Sequence, residues 1–131
     1  FMKIAGRFEV NLNPMDTYAQ GLEGIHLARM CIDKKFYGEL QASSQGEMLS
    51  ALTPVKGSAG YVAIEQVQGT LSGKKGSFVL QHFGTMHQGL ERLMLEVVPD
   101  SGTAELSGLT GKMAITIEKG QHYYEFEYML G

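Results

Sequence analysis

The chain has 131 residues, a formal net charge of −3 and a pI near 5.8, a length at which one hydrophobic core suffices and about two-thirds of the unfolded surface is buried. Its eleven Lys and Arg are scattered, so no basic stripe is available to neutralise phosphates and nucleic acid is set aside as a partner. The apolar stretches are too short and interrupted for membrane insertion, no charged start leads into an apolar signal segment, and Cys31 as the lone cysteine excludes an internal disulfide, which together predict a cytoplasmic, reducing setting.

Seventeen glycines and three prolines are spread along the chain, a pattern of many short elements separated by tight turns. One β domain over residues 1–131 is therefore expected, with Phe1 reading as an addition ahead of a natural Met2-Lys3 start. Residues 2–12 alternate as a strand, with Ile4, Phe8 and Val10 on one side and Lys3, Arg7 and Glu9 on the other, and Asn13-Pro14 is expected to stop it. Met15–Leu22 reads as one helical turn, capped by Asn13 with Pro14 at the first helical position.

His26–Phe36 alternates again, placing Leu27, Arg29 and Cys31 on one face and His26, Ala28, Met30 and Ile32 on the other. Both faces are largely apolar, so alternation does not say which meets solvent. Tyr37–Ala42 reads as a third strand, Gln45–Leu49 as a break with a loop or short helical excursion, and Pro54–Gly60 as a turn. Gly60–Gly69 and Ser77–Phe83 then form a long hairpin about the Ser72–Gly76 turn. Glu91–Val98 ends in the turn Pro99-Asp-Ser-Gly102, and Lys112–Glu118 pairs with His122–Leu130 about Lys119-Gly120. On that last strand Tyr124, Phe126, Tyr128 and Leu130 face one way and Glu125 and Glu127 the other. About eight strands joined by short turns are enough to close an all-β, single antiparallel barrel with little helix.

Several phrases in this pattern, Tyr37-Gly-Glu-Leu40, Gly46-Glu-Met-Leu49, Gly60-Tyr-Val-Ala-Ile-Glu65, Gly69-Thr-Leu71, Gly76-Ser-Phe-Val-Leu-Gln-His82, Val98-Pro-Asp-Ser-Gly-Thr103 and His122-Tyr-Tyr-Glu-Phe126, resemble a bacterial family of small proteins of unknown function. That family is placed among barrels similar to allene oxide cyclase, so the resemblance implies an allene-oxide-cyclase-like barrel. It does not imply the cyclase reaction. The plant enzymes act on a strained fatty-acid epoxide in an elongated apolar cavity, and their catalytic motif has no residue-by-residue match in this chain.

A closed eight-stranded barrel has an interior that side chains fill or that holds one small ligand, so function rests on the polar groups that point inward. Glu65 shares its face with Tyr61, Ala63, Val67 and Gly69, where burial would raise its pKa and suit it to acid or base work. The alternative is a Glu65 that meets water or pairs with a cation such as Arg29. His82 shares its face with Phe78 and Leu80 and is the better interior group than Gln81; His122, beside Tyr124, is a second histidine of this kind, and either also fits a hydrogen-bonded packing role. The Arg29 guanidinium matches a carboxylate, either a substrate's anionic head or, as an internal pair, Glu39 or Glu65.

No His-x-His pair, His-Glu-x-x-His helix or cysteine cluster supports a metal site, Gly69–Lys75 lacks the spacing of a phosphate loop, and no cofactor is implied. Cys31 fits a packing role better than a nucleophile. The eight methionines suit a pliable apolar pocket as well as an irregular core. The leading functional expectation is a barrel that binds an apolar or amphipathic small molecule, with Arg29, Tyr61, Glu65, His82, His122 and Tyr124 as ligand contacts. The alternatives are an isomerase or cyclase-type enzyme using Glu65 or His82, and a fully packed barrel working through its surface as a homo-oligomer.

Overall fold

Alternation carried through every strand and closed on itself describes the whole molecule. The computed structural model covers Phe1–Gly131 and contains eight strands: β1 (Met2–Met15), β2 (His26–Gly38), β3 (Leu40–Leu52), β4 (Ala59–Leu71), β5 (Lys74–His87), β6 (Leu90–Val97), β7 (Leu109–Glu118) and β8 (Gln121–Leu130). Each pairs antiparallel with its chain neighbours, and β1 pairs with β8 to close the barrel in simple up-and-down order. One short 3-10 helix, Ala104–Leu106, is the only helical element. No helix is long and apolar enough to cross a membrane.

The inward faces divide the barrel into two ends. At one end Phe36, Leu40, Leu71, Phe78, Leu80, Leu109, Phe126 and Tyr128 form a dry core, with Phe78 stacked on Phe126 at a centroid distance of 5.7 Å and Phe126 on Tyr128 at 5.3 Å. The 3-10 helix plugs this end, since Leu106 is buried and its segment is tied to β5 by the Thr103 amide donating to the Ser77 carbonyl at 2.8 Å. The other end, toward the β1–β2, β3–β4, β5–β6 and β7–β8 connections, is open. The wall is continuous except between β6 and β7, which share a single register pair, Glu96 opposite Lys112.

Three local expectations are corrected by the barrel. β1 runs through Pro14 to Met15 instead of turning into a helix, and Pro14 pairs opposite Met30. A proline is tolerated there because β8 pairs β1 only over Met2–Phe8, so the far part of β1 has one free edge where no amide is needed. Gln45–Leu49 is neither break nor helix but the middle of β3. Gly46 is required by close approach: a Cβ on it would meet the Ile64 carbonyl and lie 2.6 Å from the Glu65 Cα across the strand. Finally, Tyr37–Ala42 is not a separate strand, because Gly38, at φ 110°, lets the chain reverse directly from β2 into β3.

Tyr124 of β8 holds that reversal in place by reaching across Gly6 of β1, which pairs with Tyr124 on one side and Gly38 on the other. Its hydroxyl donates to the Tyr37 carbonyl at 2.8 Å and accepts from the Leu40 amide at 3.3 Å, while its ring packs edge-on against Phe36. Removing the hydroxyl leaves two buried backbone groups without that partner. Tyr124→Phe is therefore expected to lower the unfolding free energy by about 1–3 kcal/mol in urea titrations, and a variant as stable as the parent would show that these contacts contribute little.

Candidate functional site

Where the dry core ends, four polar side chains meet at one level. In-register pairing sets Lys34 of β2 opposite Ser44 of β3, Gly46 of β3 opposite Glu65 of β4, and Ala63 of β4 opposite His82 of β5. Even spacing along each strand turns all four inward. Glu65 has no exposed surface at all, and a bare carboxylate there would be held at a cost of several kcal/mol. It is instead saturated: Lys34 Nζ donates to Oε2 at 2.8 Å, the Ser44 hydroxyl donates to Oε1 at 2.7 Å, and His82 Nε2 makes a short hydrogen bond to Oε2.

The balance of these effects reverses the expectation drawn from sequence. Burial alone pushes the Glu65 carboxyl up, but the His82 hydrogen bond and the Lys34 charge outweigh it and bring the pKa from 4.5 down to about 2. Glu65 is thus an ionised anchor and not a raised-pKa acid. The Lys34 ammonium also lies over the Phe8 ring, 5.0 Å from its centroid.

Above this floor the barrel opens into a cavity of about 720 Å³. Its walls are mostly apolar, from Val10, Leu12, Met30, Met48, Ile115 and Ile117 among others, with Ser50, Thr85, Glu91 and Arg92 also in the lining, and Lys34, Tyr61 and His82 are the polar groups at its base. The Tyr61 ring sits 6.1 Å from that of His82, and burial, with the Glu65 and Glu91 charges, raises the Tyr61 pKa so that the phenol stays protonated. His122 lines the wall with its ring 5.2 Å from Phe8.

A second cavity of about 590 Å³ lies along the β6–β7 seam, and Leu93 and Ile115 line both spaces. No group of three or more His, Cys, Asp or Glu side chains is arranged to hold a metal ion.

The structure sorts the residues singled out from sequence. Tyr61, His82 and His122 face the cavity, and Glu65 lies directly behind its floor. Tyr124 does not reach it, being fully used in the packed end. Arg29 does not either: it points outward and pairs with Glu47 at 2.6 Å, while its guanidinium also donates to the Asp16 carbonyl. The internal partner of Glu65 is Lys34, not Arg29. Lys34 and Ser44 are the residues that sequence reasoning missed. The available signal was parity, since Lys34 lies in step with Met30, Ile32 and Phe36.

A family model described as a protein of unknown function, DUF3224, matches residues 4–128. A crystal structure at 1.84 Å resolution of a protein with unknown function from the DUF3224 family of Shewanella oneidensis MR-1 is 63% identical, with a TM-score of 0.97 over 99% of this chain and 97% of that one. No curated protein matches the chain in sequence.

The buried carboxylate sets how the fold responds to acid. Its folded pKa near 2 lies below the unfolded 4.5, so the stability it contributes is fully present above pH 4.5 and is lost as pH falls from there toward 2. Over that window the parent is expected to lose about 3 kcal/mol more than the doubly neutral Lys34→Met/Glu65→Gln variant in urea titrations. Parallel pH profiles for the two proteins would contradict the ionised anchor.

Proposed function

Because this chain belongs to the DUF3224 family of proteins of unknown function, its own geometry has to carry the assignment, and we propose that the open half of the barrel binds an apolar or amphipathic small molecule. The observation that carries this reading is the cavity itself. Its volume of about 720 Å³ falls in the range of small-molecule sites, which pair mostly apolar walls with a few placed polar groups. The apolar part of the ligand lies against Met30, Met48 and Ile115, and its polar end meets Tyr61, His82 and Lys34 at the floor. A fully packed barrel working only through its surface does not agree with an open interior of this size.

The methionines among the wall residues add to the reading. Met30 and Met48 face each other in register across β2 and β3, and their unbranched, polarisable side chains adapt to ligands of varied outline. The walls therefore select by apolarity and length more than by detailed shape, and orientation is left to the floor.

Native mass spectrometry of freshly purified protein, followed by denaturation and small-molecule analysis, identifies what the cavity retains. A fluorescent apolar probe, 1-anilinonaphthalene-8-sulfonate, then measures affinity. Ala28 lines the cavity, opposite Ser50 near the mouth, so Ala28→Trp is expected to weaken probe binding by at least about tenfold while changing unfolding free energy by less than about 1 kcal/mol. A variant that binds the probe as the parent does would place binding elsewhere.

A further inference from the structure

Building on the reading that the cavity holds a small molecule, we propose that the barrel is a proton-transfer enzyme: His82 Nδ1 takes a proton from the carbon beside a carbonyl group of an apolar substrate, and Glu65 is the positioning residue that fixes the ring. The argument begins with the hydrogen bond between His82 Nε2 and Glu65 Oε2. An ionised carboxylate only accepts, so Nε2 carries the hydrogen, and in the neutral ring the lone pair lies on Nδ1. His82 lines the cavity, and Nδ1 is the ring nitrogen left to face its contents. A base oriented by a buried carboxylate, aimed into an apolar space, is the arrangement that general base catalysis requires.

The neighbouring groups narrow the chemistry. Tyr61, protonated and on the same floor, supplies an O–H donor, and the Lys34 ammonium adds positive charge from behind. Both suit an oxygen on which negative charge develops. Cysteine and lysine nucleophiles are not on offer here: Cys31 lies on the outward face of β2 with Arg29, and Lys34 is held in its ion pair. His82 as an oriented base and Tyr61 as an oxyanion donor, side by side at the floor, fit abstraction of a proton next to a carbonyl.

The step balances without a further reactant. The C–H bond breaks, its proton goes to Nδ1, its electron pair forms the new C=C bond, and the carbonyl π pair moves to oxygen, where Tyr61 donates to it. The imidazolium so formed lies against the Glu65 carboxylate. Once the imidazolium proton has swapped with solvent through the open end of the barrel, its return to the same carbon exchanges the hydrogen, and return to the far end of a conjugated system shifts the double bond. The substrate class is therefore an apolar ketone with an acidic α-hydrogen.

The test uses 2-tetralone, an apolar ketone, in D₂O, with α-hydrogen exchange followed by proton NMR and binding measured by displacement of 1-anilinonaphthalene-8-sulfonate. The parent is expected to accelerate exchange at least about 100-fold over buffer. His82→Ala should return the rate to that of buffer with the Kd changed less than about threefold, and added imidazole should restore part of it. His82→Gln, which keeps a donor toward Glu65, is the second variant in case His82→Ala does not fold, and it should lose exchange equally. Glu65→Gln, which leaves the Lys34 ammonium in place, should lower kcat by at least about tenfold while leaving KM nearly unchanged, the mark of a positioning role. If 2-tetralone binds but exchanges at the buffer rate, or if His82→Gln exchanges like the parent, catalysis is overturned and binding stands. If neither 2-tetralone nor the fluorescent probe binds, both readings fall.

Discussion

A single ionised carboxylate sits where the barrel changes from solid to hollow. Glu65 is wholly buried, yet it is charged, because a lysine, a serine and a histidine from three other strands converge on its two oxygens. Desolvating such a group is among the most unfavourable steps in folding, and the attraction to a partner offsets it only when geometry is good and the remaining lone pairs are used. The consequence is mutual dependence. Removing Lys34 alone would leave an uncompensated charge, whereas replacing both members by neutral groups removes the desolvation as well as the attraction. The quartet is better understood as a device that specifies register across β2 to β5, and presents one face of His82, than as a simple source of stability.

Much of the barrel was legible in the alternation of its strands. On β8 the pattern is clean, with Tyr124, Phe126 and Tyr128 set against Glu125 and Glu127, but on β4 and β5 the outward faces carry Val62, Ile64 and Phe83 while Glu65 and His82 point inward, so alternation located these strands without naming their inner face. β2 was harder. Arg29 and Lys34 both look like solvated charges, and the apolar residues around them fall on both faces. The outward Leu27 and Cys31 made the Arg29 face look as internal as the Met30 face. Only closure of the sheet decides between them, and closure is a tertiary fact.

The missed continuity of β1 and β3 has the same origin. Pro14 and Gly46 are local signals of interruption, and both are overridden by long-range pairing: one lies where β1 has a free edge, the other where Glu65 crowds the opposite strand. Gly46 is also the clearest link between fold and site, since the residue that looked like a break is the one that lets the carboxylate sit at its level. The direction of the Glu65 pKa was illegible for a related reason. Burial could be inferred from parity, but the identity of its partners depends on which strands become neighbours.

The two ends of the barrel divide labour. Contacts that hold the fold together, from the Phe78–Phe126 stack to the Tyr124 clasp, lie below the charged floor, while the walls of the cavity lie above it. Substitutions among Met30, Met48, Leu93 or Ile117 consequently reshape the cavity without drawing on the interactions that keep the sheet closed. Over evolutionary time this separation lets the cavity's lining drift quickly while the scaffold stays fixed, so members of one family that superimpose closely at the packed end are free to differ in the shape and chemistry of the open one.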